Sequence, residues 1–291
     1  MGHTALGICD RNTMGATLAF QKACDKAGIR PVIGYTCTLA HEGEKVEVKI
    51  YCQSQRGLRN LLRIQKAVMV DAVDATVPLP ELLRRGEGNV LVFGKLSPFW
   101  MEKNLPAVKA LRETFDNVFY QVDLSEYKAE RLDAEVLKAT AHFFHTFYDE
   151  RNDSFLVEPV LIADCYYPDR DDARTKTVLN KIATGAAHAQ SDDQYFKDID
   201  EHYAAVCALF DGERWMCRHT VEIAEGAEAR YQTERNYMPR YDMTAEEQQR
   251  YGDRYAMFRQ LLEDGFRRLV PRERAEEYRT RLEKEVYILE S

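Results

Sequence analysis

The sequence predicts an α/β protein whose helices cover a parallel sheet. From residue 4 onward, short runs of β-branched and apolar residues alternate with longer stretches of helical periodicity, which is typical of repeated βα units. Beyond residue 169 the strand pattern fades, and the remaining stretches have apolar residues at helical spacing. We therefore expect an α/β body that is followed by a helical extension.

The first elements have clear boundaries in the sequence. Residues 4–10 (TALGICD) form an apolar run that ends in an acidic residue, which predicts a buried strand. Residues 15–27 have helical spacing, and Gly28 is expected to end this helix as its C-cap. Residues 31–39 and 45–52 lie on either side of the turn HEGE, so we predict two further strands there.

The rest of the body continues the alternation of helices and strands. Apolar residues form a stripe at i, i+3, i+4 spacing over residues 57–68, which predicts an amphipathic helix. Strands are also predicted at residues 89–94, 117–124 and 157–164, and helices at residues 105–115, 128–148, 174–184, 199–210 and 215–224. Asp169, Asp171 and Asp172 suit a helix start, where the helix dipole favours carboxylates.

A polar segment that contains proline divides the chain. The segment YQTERNYMPRYDM precedes two charged helical stretches, residues 245–269 and 272–289. We predict a β/α domain over residues 1–226, a linker over residues 227–241 and a helical extension over residues 242–291.

Composition excludes several classes of protein. The 291 residues carry 40 basic and 48 acidic side chains, a net charge of −8, and no apolar run approaches the roughly 18 residues that cross a bilayer. The amino terminus has no basic segment followed by an apolar one, so no secretory signal is expected. The seven cysteines form no CxxC pair and mostly lie in apolar runs, which favours reduced, buried thiols. We predict a cytoplasmic protein without a membrane partner.

Basic residues are concentrated toward the amino terminus. Residues 1–70 hold ten lysines and arginines against five acidic residues, whereas residues 149–201 hold six against thirteen. A basic region of this kind suits an acidic partner or nucleic acid. A solvated surface on which the charges happen to segregate is the simpler explanation, and the sequence leaves both open.

Two predicted strands end in an aspartate, at Asp10 and Asp164. Functional groups of parallel α/β proteins lie at the carboxyl ends of strands, so both are candidates, although each could equally cap the helix that follows. His142 and His145 have a spacing that can chelate a metal on one helix face. Because no third ligand is nearby in sequence, an ordinary exposed helix face is the simpler interpretation.

The order of several motifs resembles one known family. Residues 5–35 (ALGICDRNTMGATLAFQKACDKAGIRPVIGY) are similar to the early part of the PHP (polymerase and histidinol phosphatase) domain of the bacterial replicative DNA polymerase III α subunit, whose pattern is ALAITDHGNM(F/Y)GAxxFYKACKKAGIKPIIGCE. Further similarities follow in order at GLRNLLRI, PVLIADCYY, KIATG, YFKDIDEHYAAVCALF, TVEIAE, YMPRYDM and EEYRTRLEKEVYIL. These motifs extend over nearly the whole chain.

The resemblance implies a distorted parallel β/α barrel of the PHP type. The family's first strand carries an HxH motif that has no counterpart here, so we expect the barrel to lack that strand. The helical extension would then lead toward a polymerase palm that is not in the chain. Active PHP domains hold divalent metals with His and acidic ligands, an arrangement that suits phosphoester hydrolysis.

Most of the implied ligand positions hold other residues. Asp10 and Asp164 match acidic ligands, and Glu47 lies close to the position of a family His. The substituted positions are Arg11 and Tyr166 for His, Thr36 for an acidic ligand and Lys95 for Cys. The resemblance therefore implies a degenerate metal site for which no cofactor is expected, with Mn or Zn as the metal if the site is active.

Arg11 and Lys95 bring two positive charges to this region. Because buried carboxylates without counter-charges are costly, we hypothesise that both residues form an ion-pair cluster with Asp10, Asp164 and Glu47 in place of metals. The alternative is that these side chains point away from one another.

The leading functional hypothesis is the PHP region of a bacterial or phage DNA polymerase III α-like protein, which would act as a structural and interaction platform. DNA-directed DNA polymerase activity would belong to the parent protein, and the implied partners are the rest of a polymerase chain, a proofreading exonuclease and DNA. The alternative is a metal-dependent phosphoesterase or 3′–5′ exonuclease, whose missing ligands would come from upstream residues or from Glu47, His142, His145 and His188. A third hypothesis is a free-standing binding protein derived from the polymerase.

Overall fold

The computed structural model describes residues 2–125, 134–185, 191–210, 215–234 and 239–290. The chain divides into two compact units, Met1–Tyr231 and Gln232–Ser291. The predicted helical residues 128–133 and His188 lie outside the described residues.

The first unit contains most of the predicted strands and helices. Its strands are β1 (Ala5–Ile8), β2 (Arg30–His41), β3 (Glu44–Cys52), β4 (Thr76–Pro78), β5 (Asn89–Phe93), β6 (Asn117–Val122), β7 (Tyr148–Asp149), β8 (Ser154–Phe155) and β9 (Glu158–Leu161). Its helices are α1 (Thr17–Ala27), α2 (Gln55–Lys66), α3 (Leu79–Arg85), α4 (Pro98–Lys103), α5 (Leu105–Thr114), α6 (Ala134–Phe147), α7 (Ala173–Thr184), α8 (Ile199–Leu209) and α9 (Trp215–Glu225).

Local sequence explains several of these boundaries. Gly28 ends α1 with a φ of 69°, the left-handed conformation that glycine adopts without a steric penalty, as predicted. The Ser54 side chain accepts a hydrogen bond from the Gly57 N–H at the start of α2. A 3₁₀ turn, Arg170–Asp172, leads into α7, so the predicted acidic helix start is confirmed.

Seven of the described strands form one curled, mixed sheet in the order β1-β2-β3-β5-β6-β9, with β4 beside β2. The pairs β1–β2, β5–β6 and β6–β9 are parallel, whereas β3 is antiparallel to β2 and β5. Strand β3 is antiparallel to β2 because the chain reverses in a tight turn, in which Glu42 and Gly43 have φ values of 50° and 81°. A parallel pair would need a long crossover connection instead. The α/β prediction is confirmed, with strand directions that are mixed rather than wholly parallel.

Both faces of the central strands are buried. On one face Tyr35, Phe93 and Tyr120 belong to the main core, which includes residues from α2, α3, α5 and α6. On the other face Val92 and Ile223 belong to a smaller core that brings α9 onto the sheet. Burial of alternate residues on opposite faces fixes the direction in which each strand-end side chain points.

The sequence prediction missed β4, α3, α4 and the β7–β8 hairpin. Each is short, between two and seven residues, so periodicity over a window of normal length does not reveal it. Helices α3 and α4 both have proline in the first turn, which is a start signal that the sequence does contain.

All seven cysteines are free thiols. Cys24, Cys37 and Cys52 are buried as predicted, and burial raises the pKa of the Cys37 thiol. Cys9, Cys207 and Cys217 are half-buried, and the prediction is wrong for Cys165, whose side chain is exposed after β9.

The predicted linker begins too early. Ala227 is buried in the α/β unit, and the Glu228 N–H donates a hydrogen bond to the Gln53 carbonyl oxygen at 2.9 Å. Residues 227–231 therefore belong to the first unit, which extends to Tyr231.

The second unit consists of helices α10 (Ala245–Tyr251), α11 (Arg254–Leu269) and α12 (Ala275–Glu290) within its described residues. The single helix predicted over residues 245–269 is interrupted, because Gly252 has a φ of 82° and Asp253 caps α11 by accepting from the Ala256 N–H at 2.8 Å. Across the described part of the chain, no helix has both the length and the apolar character to cross a bilayer.

Candidate functional site

The candidate site lies where the carboxyl ends of parallel strands meet. The chain leaves β5 at Gly94 and Lys95, β6 at Asp123, and β9 shortly before Asp164. Because β3 runs antiparallel, its amino-terminal half lies beside the end of β5, with the Gly94 N–H donating to the Glu47 carbonyl oxygen at 2.9 Å. This exception to the parallel order is what brings β3 side chains into the site.

Lys95 connects two carboxylates. Its Nζ lies 2.6 Å from Oδ2 of Asp123 and 2.9 Å from Oδ2 of Asp164. The side chains of Asp123 and Asp164 are only 2% and 13% exposed, so both carboxylates are largely removed from water. A buried carboxylate needs such a counter-charge, and Lys95 supplies one to both.

Lys49 extends the pairing across β3. Its Nζ lies 2.7 Å from Oε1 of Glu47 and 3.5 Å from Oδ1 of Asp164, and its side chain is 7% exposed. Glu47 in turn forms an ion pair with the Arg11 guanidinium. We call the connected residues the charge network: Arg11, Glu47, Lys49, Lys95, Asp123 and Asp164.

Neutral hydrogen-bond donors also bind the two carboxylates. The Gln121 side-chain amide donates to Oδ1 of Asp164 at 3.0 Å and to the Ile162 carbonyl at 2.9 Å. The Ser125 N–H donates to Oδ1 of Asp123 at 3.0 Å. These bonds fix the orientation of each carboxylate toward Lys95, as expected for a buried ionic group.

The network favours the charged states of Asp164 and Lys95. Burial alone would raise the pKa of Asp164, but the ammonium groups of Lys49 and Lys95 and the hydrogen bonds to the carboxylate lower it to about 2. Burial opposes the charged form of Lys95, yet Asp123 and Asp164 raise its pKa above the usual value of a lysine. Lys95 therefore remains an ammonium ion at neutral pH.

The structure brings together four of the predicted site residues. Arg11 pairs with Glu47, and Lys95 pairs with Asp164. Asp10 is exposed and forms no ion pair within the described residues, so it lies outside the network. Alternate residues of an extended chain point to opposite sides, and Arg11, which bridges to Thr36, is the one whose side chain reaches Glu47, although it is itself about half exposed.

The other predicted positions have structural contacts. The Thr36 hydroxyl, which is buried, donates to the Cys9 carbonyl oxygen at 2.8 Å. Tyr166 is about half exposed, with the Lys176 ammonium 5.8 Å from its ring centroid. The N-cap interpretation of Asp10 and Asp164 is wrong, because the N-caps of α1 and α7 are Ala16 and Asp172.

Sequence reasoning missed two members, Lys49 and Asp123. Lys49 is two residues after Glu47 in the alternating run KVEVKIYC, and this spacing places both side chains on one face of β3. Asp123 directly follows the strand run NVFYQV, so the rule that drew attention to Asp10 and Asp164 applies to it as well.

The residues present do not fit a divalent metal cluster. Each carboxylate of the charge network already accepts from an ammonium or guanidinium group, and these positive charges would repel a cation. Among the described residues, no group of three or more His, Cys, Asp or Glu side chains is arranged to hold a metal ion. His142 instead stacks on Phe99 and lies 3.0 Å from Glu102, and His145 is exposed.

The family model of the PHP domain matches residues 1–91. The predicted resemblance is thereby confirmed for these residues, which include Arg11, Glu47 and Lys49 of the charge network. The later motifs lie outside the match and stay a prediction.

Curated relatives that match part of the chain are DNA polymerase III α subunits. The chain is 30% identical over 66 residues to that of Halalkalibacterium halodurans, 29% over 68 residues to that of Streptococcus pyogenes and 40% over 58 residues to that of Mycoplasma pneumoniae. These matches include 22%, 23% and 20% of this chain, and they span only 6%, 7% and 6% of the relatives.

A crystal structure from Bifidobacterium adolescentis, of a protein assigned as a metal-dependent phosphoesterase, is also similar. It is 11% identical with a TM-score of 0.27, and the match covers 48% of this chain and 74% of that one.

Proposed function

We propose that this chain is the PHP region of a bacterial or phage DNA polymerase III α-like protein, in which fixed positive charges replace catalytic metals. It serves as a structural and interaction platform in DNA replication, in the cytoplasm. DNA-directed DNA polymerase activity is assigned to the parent protein and not to this chain. The proposed partners are the rest of a polymerase chain and a proofreading exonuclease.

The observation that carries this proposal is the position of Lys95 between Asp123 and Asp164. Its ammonium group donates a hydrogen bond to one oxygen of each carboxylate, at 2.6 and 2.9 Å. A divalent cation would need these same oxygen atoms as ligands. A lysine neutralises the carboxylates but cannot activate water or polarise a phosphoryl oxygen as a metal does. The network therefore supports a role in stability rather than in hydrolysis.

The order of the charges supports the same conclusion. Positive and negative groups alternate from Arg11 through Glu47 and Lys49 to Asp164 and Lys95, so each buried charge has an opposite neighbour. This alternation removes the need for a metal to compensate the carboxylates.

A hydrolysis assay tests the proposal. The full chain is incubated with Mn²⁺ or Zn²⁺ and either p-nitrophenyl phosphate or single-stranded DNA, beside Asp164→Asn and Asp10→Asn. The matched control is Asp171→Asn, an exposed aspartate that forms no ion pair within the described residues. We expect no metal-dependent hydrolysis by any of these proteins.

Metal-dependent hydrolysis by the unmodified chain that is lost in Asp164→Asn or Asp10→Asn, but retained in Asp171→Asn, would overturn the proposal. It would establish the alternative, a PHP phosphoesterase or 3′–5′ exonuclease.

A further inference from the structure

Helices α2 and α3 form an arginine-rich groove on the first unit, and none of its lining residues belongs to the charge network. The groove has a volume of about 470 Å³. It is lined by Arg56, Arg59, Asn60, Arg63, Arg84, Arg85 and Glu87, which we call the arginine groove.

The core fixes the direction in which the α2 arginines point. Leu58, Leu61 and Ile64 are buried and hold one face of α2 against the core. Arg59 and Arg63 are exposed on the remaining face, one turn apart. Because α2 cannot rotate without losing its buried face, these arginines are held at the surface.

The positive charge of the groove is only partly neutralised. Glu81 pairs with Arg84 and Arg85, and Glu87 pairs with Arg56. Arg59 and Arg63 form no ion pair with any residue that the structure describes. Five guanidinium groups thus face two carboxylates, and two adjacent arginines are available to a ligand.

The lining selects a phosphate-rich partner. Guanidinium groups bind phosphate through paired hydrogen bonds and are always charged. None of the lining residues is apolar or aromatic, whereas a protein interface needs apolar anchors and recognition of unstacked bases needs aromatic rings. Along α2, Arg59 and Arg63 are separated by about 6 Å of helix, close to the rise of two phosphates on one strand of a duplex.

We propose that the arginine groove binds the phosphate backbone of duplex DNA without regard to sequence. The proposal rests on the replication role proposed above, for which it names a DNA-contacting surface. The groove supplies backbone contacts alone, so it positions the protein on DNA and does not read bases.

The test compares two double variants of the full chain. Arg59→Gln/Arg63→Gln removes two charges from the groove, and Lys22→Gln/Lys26→Gln removes two from the exposed face of α1. Binding of a fluorescent random-sequence duplex is measured by anisotropy between about 50 and 200 mM salt. Circular dichroism verifies that both variants are folded.

In the groove variant we expect the plot of log K against log salt concentration to be less steep by about 1.8. We also expect its binding at 0.1 M salt to be weaker by between about tenfold and a hundredfold. The α1 variant should retain most of the affinity of the unmodified chain. An unchanged slope in the groove variant, or an equal loss in both variants, would overturn the proposal.

A competition experiment distinguishes nucleic acid from an acidic protein as the partner. Polyglutamate, added at the same concentration of negative charges as unlabelled duplex, should displace the labelled duplex poorly, because the groove is matched to phosphate spacing. Displacement as effective as that by unlabelled duplex would overturn the assignment and indicate an acidic protein partner. No metal enters either experiment, so failure here leaves the charge network and its hydrolysis test unaffected.

Discussion

The ammonium group of Lys95 lies 2.9 Å from the carboxylate of Asp164, and these residues are 69 positions apart in the chain. They meet because β5, β6 and β9 are consecutive parallel strands whose carboxyl ends lie at one edge of the sheet. The same edge brings Asp123 to the other side of Lys95. The resulting network links three strand ends through ion pairs, to which Gln121 and Ser125 add neutral hydrogen bonds.

Removal of Lys95 should destabilise the first unit strongly. Lys95→Ala leaves Asp123, at 2% exposure, without its ammonium partner, and loss of one member of a buried pair costs about 3 kcal/mol. The free energy of unfolding from urea titration gives the measurement. Lys103→Ala is the matched control, because Lys103 pairs with Glu44 at the surface and its loss costs at most about 1 kcal/mol. Equal effects of the two substitutions would show that the network does not stabilise the fold.

Stability at acid pH should depend on Asp164. Its folded pKa of about 2 lies below the ordinary value near 3.8, so its stabilising effect is present above pH about 4 and is lost as the pH falls through about 2. The pKa difference corresponds to about 2 kcal/mol. We expect the free energy of unfolding of Asp164→Asn to vary less over this range than that of the unmodified chain.

The control for this measurement of stability at acid pH is Asp10→Asn, because the Asp10 carboxylate is exposed and outside the network. Urea titrations at several pH values between about 2 and 6 cover the transition. If Asp10→Asn flattened the profile as much as Asp164→Asn does, the assignment of the low pKa to Asp164 would be wrong.

The start of α2 should not tolerate a larger residue at Gly57. A Cβ at Gly57 would overlap the carbonyl group of Gly88, where the chain approaches the start of β5. Gly57→Ala is therefore expected to cost about 2 kcal/mol or more, since backbone must move. Gly15→Ala is the control, because its nearest atom, Oγ1 of Thr13, is 3.4 Å away. Thermal midpoints of both variants measure the difference, and a midpoint of Gly57→Ala equal to that of Gly15→Ala would contradict this account.

Much of the fold could be predicted from the sequence because the core elements have strong local signals. Gly28 ends α1, and the alternating run that contains Glu47 forms β3, as expected. The short elements β4 and α3 have too few residues for periodicity to detect. The limit of residue 226 for the first domain was wrong because the burial of Ala227 depends on tertiary contacts.

The site could be predicted in part. The sequence places Arg11, Lys95 and Asp164 after strands, and in the structure they pair with acidic or basic groups as the ion-pair hypothesis requires. It does not determine the side of an extended chain on which a residue lies. For this reason the prediction that Asp10 joins the cluster is wrong, because its side chain is exposed and lies outside the network. Lys49 is a different case, because its spacing from Glu47 in the alternating run already places both side chains on one face of β3.

The most direct test of the central claim is metal analysis of the full chain. The protein is equilibrated with excess Mn²⁺ or Zn²⁺, passed through a desalting column and measured by mass spectrometry, beside Lys95→Ala and Asp164→Asn. We expect less than stoichiometric metal in the unmodified chain and no further loss in Asp164→Asn. One bound metal per chain that is lost in Asp164→Asn would contradict it, since the carboxylates would then hold a cation in spite of Lys49 and Lys95.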